Sequence, residues 1–123
     1  MSHTPLVTLS NLLLAMRQSM LRHLYAGSSL IEFDLLILVF SNYAHQREPL
    51  SVKALLAALP YSPMGSRYHL HEAAKRGLIT LSRDTRDKRI LRIVPSARLI
   101  DCFGRIETDL NPYLKPQLLS LKT

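Results

Sequence analysis

Pro60 and Pro63, three residues apart in Leu59-Pro60-Tyr61-Ser62-Pro63, constrain this chain more than any other feature. A helix or strand is expected to break at such a pair, because each proline fixes φ, lacks an N–H and pushes the preceding residue towards extended conformation. The segments on either side are short and apolar on one face. Before the pair, Ser51 can cap a helix from Val52 to Leu59 that turns Leu55, Leu56 and Leu59 inward. After it, Ser62 caps and Pro63 begins a helix that runs to about Arg76, where Gly77 stops it. Helix, tight turn and helix at this spacing make a helix-turn-helix.

The flanks complete an order of elements. Leu78 to Arg83 and Arg89 to Val94 alternate apolar and polar residues, as two strands would, around the charged loop Asp84-Thr85-Arg86-Asp87-Lys88. On the N-terminal side, Thr4 caps and Pro5 opens a helix whose apolar stripe is Leu6, Leu9, Leu13, Met16, Met20 and Leu24, ending at Gly27. Ser29-Leu30-Ile31-Glu32 reads as a capping box for a second helix, apolar nearly all round from Phe33 to Phe40 and therefore expected at the buried centre. Ser96 caps a last helix with Leu99, Phe103, Ile106 and Leu110 on one face, and Asn111-Pro112 is expected to interrupt it. The fold class is mainly α with a small β-hairpin.

Charge separates the middle of the chain from its ends. The 123 residues, enough for one domain (1–123), carry sixteen Lys and Arg against nine Asp and Glu, a net charge of +7. Between Arg47 and Arg98 lie eleven of the basic residues and four of the acidic ones, so the whole surplus of seven sits there and the oily ends sum to zero. Clustered positive charge is the footprint of a polyanion binder. No apolar run is long enough to span a bilayer, so no membrane partner is expected. The N-terminus has no cationic start or cleavage site of a signal peptide, and the single cysteine, Cys102, has no internal partner. A reducing, cytoplasmic setting is expected.

The order of elements is that of a winged helix, and two motifs are more specific. Ser62-Pro63-Met64-Gly65-Ser66-Arg67, closed by Lys75-Arg76-Gly77-Leu78-Ile79, and the loop Asp84-Thr85-Arg86-Asp87-Lys88-Arg89, which fits Asp-x-Arg-Asp-x-Arg, resemble the recognition helix and wing of the bacterial MarR family of transcriptional regulators. Ser66, His69 and Ala73 stand where larger aliphatic residues are common in such proteins. The resemblance implies a winged helix-turn-helix lobe over 47–95 and dimerisation helices at 4–27 and 96–123. It implies a homodimer that binds double-stranded DNA and regulates transcription, in relatives often released by a small aromatic effector held between the dimer helices and the DNA-binding lobe.

If Leu70 and Ala73 face the core, then Met64, Arg67, Tyr68 and His71 lie opposite and can reach base edges in the major groove, Arg67 by a bidentate contact to guanine. Ser62 and the amides at the helix start suit a phosphate. Lys53, Lys75 and Arg76 would add phosphate contacts. In the wing, Arg86 is the candidate for a narrow minor groove, with Lys88 and Arg89 beside it. Asp84 and Asp87 are unsuited to touching phosphate; they are expected to order the wing by accepting backbone hydrogen bonds and holding Arg86 or Arg89.

Other chemistry is poorly represented. His69 and His71 are two apart, on different sides of a helix, and make no metal pair. There is no phosphate loop, zinc-ligand spacing or nucleophile elbow, so neither cofactor nor enzymatic activity is expected. Cys102 flanks the stripe Leu99-Phe103-Ile106 and reads as a packed, inert thiol. The competing reading is a winged helix that binds protein as an accessory subunit; binding of double-stranded RNA ranks below it, because the deep, narrow RNA major groove excludes a helix.

Overall fold

The computed structural model describes residues 3–24 and 29–122, with side chains over 5–24 and 29–114. In chain order the elements are α1 (His3–Leu24), α2 (Leu30–Ala44), β1 (Leu50–Ser51), α3 (Val52–Ala58), α4 (Pro63–Lys75), β2 (Ile79–Arg83), β3 (Leu91–Pro95) and α5 (Ala97–Lys122). They form two compact units, one of Ala26–Ile100 and one of Met1–Tyr25 with Asp101–Thr123.

The first unit is built on α2, which packs against α4 and β3. Phe33, Leu35, Leu36 and Val39 of α2 are buried, with Leu55, Leu59, Leu70, Ile79, Ile93 and Leu99 from the surrounding elements. Each such side chain contributes about 1.5–3 kcal/mol by leaving water. The helix starts follow the local chemistry. Ser51 accepts from the Ala54 amide at 3.0 Å and Ser62 from the Gly65 amide at 3.1 Å. Ser96 does the same for Leu99 at 3.1 Å.

The hairpin is part of a larger sheet than the sequence predicts. β2 and β3 pair antiparallel, Ile79 opposite Pro95 and Arg83 opposite Leu91. A third strand, β1, adds to the other side of β3, with Leu50 opposite Ile93 and Ser51 opposite Arg92. Two residues are too short to show alternation, so only the partner strand reveals β1.

Two further expectations need correction. Ser29 caps α2, accepting from the Glu32 amide at 3.5 Å, but Glu32 does not close a capping box. It is 2% exposed and ion-paired with Arg76, because a buried carboxylate requires a cation more than a surface cap does. Nor does Asn111-Pro112 break α5, which is helical to Lys122. A proline removes one N–H from the ladder, here the bond to the Thr108 carbonyl, and the bonds on either side carry the helix on.

In the second unit, α1 begins at His3, so Thr4 and Pro5 lie inside its first turn rather than at its cap. Its expected end at Gly27 lies outside the described residues. Met20, Leu24, Ile106 and Leu110 are buried. Ser19 donates to Asp109 Oδ2 at 2.7 Å, and Arg22 and His23 reach the same oxygen at 3.0 Å. The Ser19 hydroxyl first, then the His23 ring, hold the Asp109 carboxyl below its usual range.

Candidate nucleic-acid interface

The second helix of the helix-turn-helix, α4, divides into two faces. Ser66, Leu70 and Ala73 have no exposed surface. Met64 is 84% and Tyr68 60% exposed, and Arg67, His71 and Lys75 also face outward. The small residues at 66 and 73 therefore belong to the packed side, and Ser66 Oγ has no hydrogen-bond partner among the described residues. His69 turns away from solvent, its Nε2 3.4 Å from Ser29 Oγ, and meets the Tyr68 ring edge-on with centroids 5.1 Å apart.

The end of α4 is firmly closed. Gly77 takes φ 75°, the Gly77 amide donates to the Ala74 carbonyl and the Leu78 amide to the Ala73 carbonyl, both at 3.0 Å. This is a Schellman motif, and glycine fits because it alone enters the left-handed region without strain. Arg98 donates to the Arg76 carbonyl at 2.8 Å. Arg76 itself departs from its expected role. Its guanidinium is turned to the buried Glu32 carboxylate, so it holds α4 on α2 and is removed from the phosphate contacts. Lys75 remains outward, 75% exposed, in a loose pair with Glu72 at 3.4 Å.

The wing is organised by carboxylates. Asp84 Oδ2 accepts from the Arg86 and Asp87 amides at 3.0 and 2.9 Å, and its Oδ1 accepts from Arg92 Nε at 3.2 Å. The Asp87 amide, more than the other partners, holds the Asp84 carboxyl below its usual range. Asp87 takes the Arg89 guanidinium in a two-pronged contact, both distances 3.1 Å, and that fork keeps its carboxyl low in turn. Arg86 projects with 82% of its side chain exposed and pairs with Glu48 at 3.0 Å. Lys88 is exposed at the turn.

Between wing and helix-turn-helix runs an open groove of about 1050 Å³. Its walls include Lys53 and Leu56 of α3, Pro63 and Arg67 of α4, and Arg83 and Arg89 of the wing. No acidic side chain lines it. Among the described residues, Lys53, Arg67 and Arg83 have no ion-pair partner, so their charge faces the groove uncompensated. A polyanionic strand is the natural complement of such a channel.

No family model and no curated protein matches the sequence, but solved structures do. A mutant of MepR from S. aureus bound to an oligodeoxyribonucleotide aligns with 97% of this chain and 81% of its own, at 18% identity and a TM-score of 0.70. MepR bound to ethidium bromide aligns with 98% and 81%, at 17% identity and a TM-score of 0.71. A MarR-family transcriptional regulator from Rhodococcus sp. RHA1 aligns with 85% and 71%, at 17% identity and a TM-score of 0.52. The fold is the MarR fold.

On this MarR frame three residues that the sequence did not single out belong to the groove or its ion pairs. Arg83 ends β2 on the same strand parity as the inward Ile79 and Leu81, but the strand outruns the core and delivers the cation to the groove. A cation at inward parity on a strand end was the available signal. Arg92 donates to the Pro49 carbonyl at 3.0 Å and lies 3.3 Å from Glu48, tying β3 to the segment before β1. Glu48 shares its Oε1 between Arg92 and Arg86, a contact across 38 positions that no local pattern encodes. Away from this face, Cys102 is half-buried and donates to the His23 carbonyl at 3.3 Å. No cluster of three metal-ligating side chains occurs among the described residues, and no described helix is long and apolar enough to cross a membrane.

Proposed function

We propose that this chain is a transcriptional regulator that binds double-stranded DNA sequence-specifically as a homodimer. The observation that carries the reading is the acid-free groove between α4 and the wing, lined by unpaired Lys53, Arg67 and Arg83 beside the outward face of α4. The S. aureus protein of like fold, solved with an oligodeoxyribonucleotide, supports it. In this reading 47–95 is the DNA-binding lobe, with Met64, Arg67, Tyr68 and His71 on the face turned to the DNA major groove and Ser62, Lys53 and Lys75 towards the phosphates. Arg86, supported by Lys88 and Arg89, enters the adjacent minor groove, and Asp84 and Asp87 hold the wing in shape for it.

Dimerisation is assigned to 4–27 and 96–123. Leu6, Leu9, Leu13 and Leu14 of α1 are each about half exposed or more, an apolar surface that a second copy would cover. Two copies would set their α4 helices one DNA turn apart, about 34–36 Å, on a near-palindromic site. We assign it also a small aromatic effector that releases the DNA, a role supported by the ethidium complex of MepR, and a cytoplasmic setting in which Cys102 stays reduced.

Fluorescence anisotropy with a mixed pool of duplexes across a salt series tests the reading. Wild type binds with an affinity that falls steeply with salt, and Arg67→Ala and Arg86→Ala each weaken it. Absence of binding, or weak binding indifferent to both arginines, refutes it in favour of a winged helix that docks on protein.

A further inference from the structure

The outward face of α4 is apolar where it would enter deepest. At about 100° per residue, Met64, Tyr68, His71 and Lys75 fall within a sector of about 60°, and Arg67 lies about 60° from Met64 on the side away from Tyr68. The groove confirms that displacement, since Arg67 lines its wall with Lys53 of α3 and the wing arginines. The N-terminal turn of a helix in this position carries the residues nearest the base edges. Here that turn presents Met64, the most exposed large apolar side chain described, and one turn later Tyr68. The Tyr68 ring meets the His69 ring edge-on, and His69 Nε2 lies 3.4 Å from Ser29 Oγ.

Two large apolar side chains kept in water on a basic face need a partner that is apolar and set among negative charge. In the major groove of DNA the 5-methyl group of thymine is such a feature, and no other base carries one. We propose that α4 reads thymine through Met64 and Tyr68, while Arg67 grips the sugar-phosphate backbone from the groove instead of reading guanine. This deepens the DNA-binding reading and rests on it. It names which bases the half-site must contain and reassigns the one arginine that sequence alone would give to base readout.

The test uses the full-length protein and a duplex selected from a random pool. Each thymine of the half-site is replaced singly by deoxyuridine, which removes a methyl group and nothing else. Wild type should lose about three- to five-fold in affinity at one or two positions, as expected for one buried methyl. Met64→Ala or Tyr68→Ala should bind more weakly and lose that difference at its own position. Arg67→Ala should weaken binding to thymine and uracil duplexes alike, with a shallower salt dependence. All three residues are exposed, so melting temperatures should match wild type. Tight binding in which every deoxyuridine duplex equals its parent overturns the proposal and leaves the regulator reading standing. A methyl effect that persists undiminished in both variants also overturns it. No binding to any duplex overturns both.

Discussion

Replacing Arg76 by Met should destabilise the protein by about 2–3 kcal/mol without touching DNA contacts. Glu32 is 2% exposed, and its carboxylate faces the Arg76 guanidinium across the α2–α4 packing. Removing one partner of a buried pair costs about 3–5 kcal/mol, because the other charge is left without compensation. The Arg76 side chain is 35% exposed, so water already screens part of the pair and brings the expected loss to the bottom of that range or just under it, about 2–3 kcal/mol. For a chain of this size the fall in melting temperature is about 10 °C. The pair is asymmetric, and that sharpens the prediction. Arg76 Nε and Nη2 are buried, but Glu32→Gln keeps an acceptor oxygen for them whereas Arg76→Met leaves the carboxylate no donor, so the Gln variant should lose less, about 1 kcal/mol. Glu32→Leu combined with Arg76→Met removes both charges and should recover most of the loss. Thermal and urea denaturation at fixed protein concentration would measure all of these, with duplex binding of Arg76→Met checked well below its melting temperature. Equal losses for the two single variants would refute the reasoning, as would an Arg76→Met protein that melts within about 2 °C of wild type. A large loss of DNA affinity at low temperature would return Arg76 to the phosphate contacts.

The order of the wing should depend on Asp84 ionisation. The Asp84 carboxyl is held below its ordinary 3.8 chiefly by the Asp87 amide, so its contribution is complete above pH 3.8 and disappears as pH falls through the lower folded value. Hydrogen exchange of the Arg86 and Asp87 amides should therefore show undiminished protection down to about pH 4 once the intrinsic rate is allowed for, and none in Asp84→Ala; a loss of protection near pH 6 would contradict this. Gly77→Ala places a side chain at φ 75° with nothing within 4 Å of the new Cβ, so only backbone strain acts. The expected loss is about 1 kcal/mol by urea denaturation, and a stabilised variant would contradict the left-handed cap. Glu48→Gln releases Arg86 from a carboxylate that competes with phosphate. Such exposed pairs are worth under about 1 kcal/mol, so duplex affinity should rise by up to about five-fold at low salt; an unchanged or weakened affinity would show that Glu48 does not compete.

Much of this protein is written in local chemistry. Proline, glycine and capping serine act over three or four residues, so the starts of α3, α4 and α5 and the stop at Gly77 can be read from the chain, as can the alternation of the two wing strands. The outward position of Met64, Arg67, Tyr68 and His71 follows from helical period once Leu70 is taken as core. The Asp84 and Asp87 turns are equally local, with partners two to three residues away. Other features needed the assembled fold. Glu32 and Arg76 are 44 positions apart in sequence, and each had a plausible local role until packing buried the carboxylate. β1 exists only because β3 lies beside it, and α5 continues through Pro112 although a proline at that position usually ends a helix. The groove that gathers Lys53, Arg67, Arg83 and Arg89 belongs to four segments. Residue types and periods determine which way a side chain leaves its own element. Where that side chain finds its charge partner is a long-range quantity, and only the tertiary structure decides it.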